Sequence, residues 1–129
     1  MRVIFLDNRD SFVYNLVDLT AREAGAQVFR NTTPVATLRD ALEPTAEERA
    51  AGERPLLILS PGPGHPRQAG HMMEILDVAL QEKIPTLGIC LGFQAMVEAC
   101  GGVVAPVGAT HGRTDRVELT EAGIEDPSF

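Results

Sequence analysis

Ile84-Pro85-Thr86-Leu87-Gly88-Ile89-Cys90-Leu91-Gly92 is the stretch on which the fold turns: an apolar run over 84–89 gives way to a helical pattern, with a thiol between two glycines. It reads as a nucleophile elbow. In the G-x-S-x-G form of this turn, glycines two residues either side of the nucleophile let a strand fold sharply into a helix and hold the nucleophile at the apex. Here sulfur replaces oxygen. At the N-terminus of a helix starting near Leu91, unpaired backbone N–H groups and the helix dipole favour a thiolate. The plain alternative is that the glycines only allow close strand–helix packing and Cys90 is inert.

Outward from the elbow, strand and helix patterns alternate. Residues 2–6 form a short apolar strand, and Asp7-Asn8-Arg9-Asp10-Ser11 is a polar turn ending in helix-capping residue types. Val13, Leu16, Val17, Thr20 and Ala24 make a helical stripe, stopped by Gly25 before a second strand over 26–30. A short helix is expected over 37–42. The segment 43–54, charged and rich in Ala without a clear apolar face, reads as an exposed connection. Leu56-Leu57-Ile58-Leu59 is short enough to be a central strand buried on both faces. Met72, Ile75, Leu76, Ala79 and Leu80 form the next stripe, leading to the strand before Cys90. Such alternation implies right-handed crossovers and an α/β fold, an open, mainly parallel sheet flanked by helices. Ligands in these sheets bind beyond the carboxyl ends of the strands, where residues 7–11, residues 60–66 and Cys90 all fall.

The bulk numbers bound the function. A chain of 129 residues with 44% hydrophobic content suits one domain with a real core, expected over 1–129. A net charge of −7 with interspersed Asp and Glu argues against nucleic-acid or anionic-membrane binding. No run approaches membrane-spanning length and the N-terminus lacks a signal-peptide pattern, so a cytoplasmic address is expected. Two cysteines make no disulfide framework. Cys100, at helical spacing from Phe93, Met96 and Val97, reads as a small core residue. No metal site and no cofactor is expected.

Ser60-Pro61-Gly62-Pro63-Gly64 ends the neighbouring strand with two rigid residues and two glycines, suited to presenting backbone N–H groups to a ligand. An acyl-transfer site needs such donors for its oxyanion, and the Leu91 N–H is the natural second one. A tight turn is the plain alternative. Together with Gly88-Ile89-Cys90-Leu91-Gly92-Phe93-Gln94, this loop resembles the class I (triad) glutamine amidotransferase domain, a flavodoxin-like three-layer fold. The opening 7–16, with Arg30-Asn31, Ala99-Cys100-Gly101-Gly102 and His111-Gly112-Arg113, is similar to the amidotransferase subunits of chorismate-using synthases. Anthranilate synthase, in tryptophan biosynthesis, is the first expectation; aminodeoxychorismate synthase, in the folate branch, is the alternative.

The resemblance implies that Cys90 attacks the side-chain amide of L-glutamine, forms a glutamyl thioester and releases ammonia to a chorismate-binding synthase subunit in a heteromeric complex. Gly62, Pro63 and Gly64 would form the glutamine and oxyanion loop, with the backbone of Gly64 and Leu91 as donors. Gln94 would contact glutamine. Asp10, Ser11, Tyr14 and His111 are candidates for partner contact, with capping and core roles the alternative for the first three. Two departures stand out: Phe93 occupies a position that is often His, and the family's C-terminal H-x-E and Ser-Leu pair do not occur in these 129 residues. A C-terminally incomplete amidotransferase domain is therefore expected, slow without a base for Cys90. His65, His71 and His111 are weak substitutes. A non-catalytic partner-binding module of the same fold is the competing reading, and a different thiol enzyme using His111 a third.

Overall fold

The apolar runs become four strands, β1 (Val3–Asp7), β2 (Ala26–Arg30), β3 (Leu56–Leu59) and β4 (Thr86–Gly88), in a computed structural model that describes residues 1–21, 25–108 and 112–128. All pair in parallel, in the order β2-β1-β3-β4. Val3 sits between Ala26 and Leu56, and Leu59 lies opposite Gly88, so the strands end nearly level. The loops that follow them therefore share one edge.

Helices cover both faces. Helix α1 (Val13–Ala21) brings Leu16 and Val17 onto Val3, Phe5 and Ile58. The opposite face, Ile4, Leu6, Leu57 and Leu59, packs against Leu38 and Leu42 of α2 (Val35–Leu42), Met72, Ile75, Leu76 and Ala79 of α4 (Met72–Gln81), and Leu91 and Ala95 of α5 (Leu91–Ala99). The topology accounts for this split. Right-handed crossovers step one way from β1 to β2 and the other way from β2 to β3 and from β3 to β4, which places their helices on opposite faces. The reversal lies between β1 and β3, and the crevice beyond their carboxyl ends is where such sheets bind ligands. The three-layer α/β expectation holds.

The 43–54 connection is exposed, as expected, yet structured. It contains a helix, α3 (Ala46–Ala51), that buries none of its residues. A capping box replaces the missing apolar face: the Thr45 hydroxyl accepts the Glu48 N–H at 3.2 Å, and the Glu48 carboxylate accepts the Thr45 N–H at 2.8 Å. Gly52, at φ 69°, ends the helix in the left-handed conformation. Arg2 clamps the other side. Its Nε and Nη2 donate to the two Glu48 oxygens at 3.0 and 3.1 Å, and its Nη1 donates to the Ala41 carbonyl at 2.7 Å. Arg2, followed by the Thr45 N–H, lowers the Glu48 carboxyl from its ordinary 4.5 to about 2.

Cys100 is also corrected: it is exposed at the C-terminus of α5, one residue beyond the last helical residue and five beyond the last buried one, Ala95. The helix predicted over 37–42 begins earlier, at Val35. Of the α1 stripe, Val13 is buried and Ala24 lies outside the described residues. After α5, residues 103–108 and 112–119 carry neither helix nor strand, and a short α6 (Glu121–Glu125) starts at the Thr120 cap.

A Cβ added at Gly92 would fall 2.2 Å from the Leu59 carbonyl oxygen, whereas one at Gly25 meets nothing within 4 Å. Urea unfolding should find Gly92→Ala destabilised by about 3 kcal/mol or more, and Gly25→Ala within about 0.5 kcal/mol of the parent. The depressed Glu48 carboxyl contributes stability at and above its ordinary 4.5, and that contribution is lost as the pH falls through about 2. The stability gap between the parent and Glu48→Gln should accordingly be full at pH 6 and closed at the acid end of a pH series; a gap that stays constant would refute the assignment.

Candidate active site

Cys90 is the apex of the turn between β4 and α5, with φ 51° and ψ −108°. A side chain in this sparsely populated region is strained, at a cost on the order of 1–3 kcal/mol, and the surroundings must enforce it. Three backbone bonds do so. The Ile89 N–H donates to the Leu59 carbonyl at 3.0 Å, extending the β3–β4 ladder; the Gly92 N–H donates to the Ile89 carbonyl and the Gln94 N–H to the Cys90 carbonyl, both at 3.0 Å. The two glycines are needed for space. A Cβ at Gly88 would lie 2.6 Å from the Gly92 carbonyl oxygen and 2.7 Å from Met96 Sδ. Strand and helix thus cross at backbone contact, leaving the Cys90 thiol exposed and Leu91 buried beneath it.

The Ser60–Gly64 loop meets the elbow directly. A Cβ at Gly62 would come within 2.5 Å of Asn8 Cβ and 3.1 Å of Leu91 Cδ2, so this glycine is wedged between the β1 loop and the residue after Cys90. Gly64 is required for another reason, its φ of 79°. Among the described residues, neither the Gly64 N–H nor the Leu91 N–H is taken by an acceptor within the chain. Pro63 is exposed, and Gln94, one turn into α5, is half-buried.

Beneath the loop lies a buried polar clip that the sequence reading did not assign. The Asn8 N–H donates to Ser60 Oγ at 2.9 Å, Asn8 Nδ2 donates to the Ser60 carbonyl at 2.9 Å, and Asn31 Nδ2 donates to Asn8 Oδ1 at 3.2 Å. Ser60 Oγ passes its own hydrogen to the Pro61 carbonyl at 2.8 Å. Asn8, Asn31 and Ser60 are all buried and follow β1, β2 and β3 directly, so one network ties three strand ends together. The available signal was positional: an Asn directly after each of the first two strands. Beside the clip is a cavity of about 340 Å³, lined by Asn8, Arg9, Asn31, Pro63 and Gly70 among others. A larger hollow, about 610 Å³, lies at the far, amino end of the strands among Glu43, Arg49, Arg54 and Glu82, remote from the thiol.

The histidines are committed elsewhere. His65 Nδ1 accepts the Arg67 N–H at 3.2 Å while Nε2 faces the Val104 carbonyl at 3.3 Å, and His71 Nδ1 lies 2.8 Å from the Thr33 carbonyl. His111 lies outside the described residues. Asp10, half-buried, accepts the Phe12 N–H at 2.7 Å. Ser11 and Tyr14 are exposed at the same sheet edge as Cys90, Tyr14 at 70%, so a core role for this tyrosine is excluded. Among the described residues, no group of three His, Cys, Asp or Glu side chains gathers to hold a metal ion, and no helix is long and apolar enough to cross a membrane.

The glutamine amidotransferase class-I family matches residues 4–127. A Corynebacterium glutamicum protein named anthranilate synthase component 2 is 49% identical over 129 residues, covering 98% of this chain and 56% of its own length. A Vibrio parahaemolyticus protein of the same name is 43% identical over 125 residues, covering 95% of this chain and 59% of its own length. A Pseudomonas aeruginosa protein named anthranilate synthase component 2, pyocyanine specific, is 47% identical over 105 residues, or 81% of this chain and 48% of its own length. The chain thus spans roughly half the length of these relatives.

The two cysteines, both exposed, cap opposite ends of one helix. Cys90 stands at the N–H end of α5, the end that the sequence reading expects to suit an attacking thiol, and Cys100 at its carbonyl end. Peptide mapping after brief iodoacetamide treatment should show Cys90 labelled about three- to tenfold faster. Equal rates would remove the helix-terminus activation.

Proposed function

The chain belongs to the glutamine amidotransferase class-I family, and from that premise we propose that Cys90 is the nucleophile that removes the amide nitrogen of L-glutamine as ammonia. Residues 1–129 form one domain of that family in this reading. The observation that carries it is the strained elbow, with the Gly62 loop wedged against Leu91. The Cys90 thiolate adds to the amide carbonyl carbon, and the carbonyl's π pair moves to oxygen. The N–H groups of Gly64 and Leu91 stabilise that oxyanion. Collapse breaks the C–N bond, ammonia leaves having gained a proton, and a glutamyl thioester remains on sulfur. Water then hydrolyses the thioester to glutamate. Gly62, Pro63 and Gln94 contact the substrate.

The ammonia goes to a chorismate-binding synthase subunit. The relatives' names favour anthranilate over the aminodeoxychorismate alternative. Asp10, Ser11 and Tyr14 contact that subunit from the edge that carries Cys90, and His111 is a further contact candidate from the sequence alone. Phe12 and Phe93, exposed at 64% and 60%, add apolar area suited to such a contact. A reducing, cytoplasmic setting keeps the thiol available.

Proton transfer is the weak step in these 129 residues. They contain no H-x-E, and His65 has both ring nitrogens occupied. A general acid–base partner contributes about a hundredfold to ten-thousandfold. Acylation of Cys90 is therefore expected to outrun turnover. A glutamine-shaped chloroketone should label Cys90 stoichiometrically. Ammonia release, with the synthase subunit present, should fall below that of a full-length relative by about that factor, and Cys90→Ala should abolish it. Ammonia release by Cys90→Ala at the parent rate would reject the nucleophile, and parent turnover equal to the relative's would reject the need for a further base.

A further inference from the structure

Glu98 lies one residue before the end of α5, its side chain 8% exposed, and gathers donors from two other segments. Its Oε2 accepts Arg67 Nε at 2.8 Å. Its Oε1 accepts the Val104 N–H at 2.9 Å and lies 3.5 Å from His65 Nε2. Because His65 Nδ1 accepts the Arg67 N–H, the proton of the neutral ring sits on Nε2, facing Glu98 and the Val104 carbonyl. The Val104 N–H first, and the Arg67 guanidinium after it, hold the Glu98 carboxyl below its ordinary value, so it is a carboxylate at neutral pH.

Two of these groups, His65 and Arg67, belong to the exit of the glycine-proline loop. His65 directly follows Gly64, and Arg67 lies in the single 3₁₀ turn, Pro66–Gln68, that closes the loop. The loop is thus held from two sides. Gly62 is fixed against Asn8 and Leu91, and His65 and Arg67 are fixed against Glu98. Cys90 and Glu98 sit on one rigid rod, about 12 Å apart along its axis. We propose that Glu98 is a positioning residue: through His65 and Arg67 it sets where the Gly64 N–H stands relative to the Cys90 thiol. Its effect on the reaction rests on the reading of Cys90 and Gly64 given above, whereas its hold on the loop does not.

Two measurements on the whole chain separate these levels. Glu98→Gln keeps an oxygen for the Val104 N–H and removes the charge that holds Arg67 and His65. Amide hydrogen exchange over residues 62–70 should become about tenfold faster in this variant, with exchange in β1 and β3 unchanged. Labelling of Cys90 by iodoacetamide, which needs only the thiolate, should stay within about twofold of the parent. Labelling by a glutamine-shaped chloroketone, whose oxygen needs the loop donors, should slow about tenfold. Arg67→Met should reproduce the chloroketone effect at reduced size.

Unchanged exchange over 62–70 in Glu98→Gln would overturn the proposal, as would equal slowing of both labels, which marks general damage to the elbow. If the parent Cys90 shows no preference for the chloroketone, the amidotransferase reading fails, and the exchange result still decides the role of Glu98.

Discussion

The carboxyl edge of the sheet depends on one backbone contact, that of Gly92 with the carbonyl of Leu59. No side chain fits between them. The contact lets α5 descend onto β3, which buries Leu91 and Ala95 in the apolar layer and leaves the residue before them no room for an ordinary helical entry. The strain at Cys90 is the result. It is sustained by the burial of its neighbours, of which Leu91 contributes roughly 1.5–3 kcal/mol. The stabilisation comes from the core and the strain appears at the surface, where the thiol is presented.

Polar groups then fix what the apolar layer leaves loose. Asn8, Asn31 and Ser60 are buried, and each is hydrogen-bonded, so their cost of desolvation is met within the network. Among the described residues, no buried side-chain nitrogen or oxygen lacks a partner. Gly70 belongs to the same assembly: a Cβ there would lie 2.4 Å from the Asn31 carbonyl oxygen, and this carbonyl accepts the His71 N–H at 2.8 Å. The end of β2 is thereby tied to the start of α4. Loops that a sequence presents as separate polar segments are one connected structure.

The strands and the core helices were legible because period and length suffice for them. Leu56–Leu59 could only be a buried strand between turn signals, and Met72, Ile75, Leu76 and Ala79 mark a single helical face. The elbow was legible from its two glycines. Helix α3 was missed because apolar periodicity was the criterion, although Thr45 and Glu48 at capping-box spacing announced it. Cys100 was misplaced for a related reason: the helical spacing that reaches it is real, but the helix ends before it. The pairings within the clip and around Glu98 were out of reach, although an Asn after each of the first two strands marked where the clip sits. Their partners lie 23 to 52 residues apart for the clip and 31 for Glu98 with Arg67, separations that local pattern does not encode.

The two prolines beside the glycines have a chemical consequence as well as a mechanical one. Pro61 and Pro63 have no N–H, and that of Ser60 is spent on the Leu6 carbonyl at 3.2 Å. From Ser60 to Gly64, only Gly62 and Gly64 are left to offer a hydrogen to anything outside the chain. The loop has been edited by deletion. Replacing either proline would relax its backbone and also add a competing donor, at which water could stand in the wrong place.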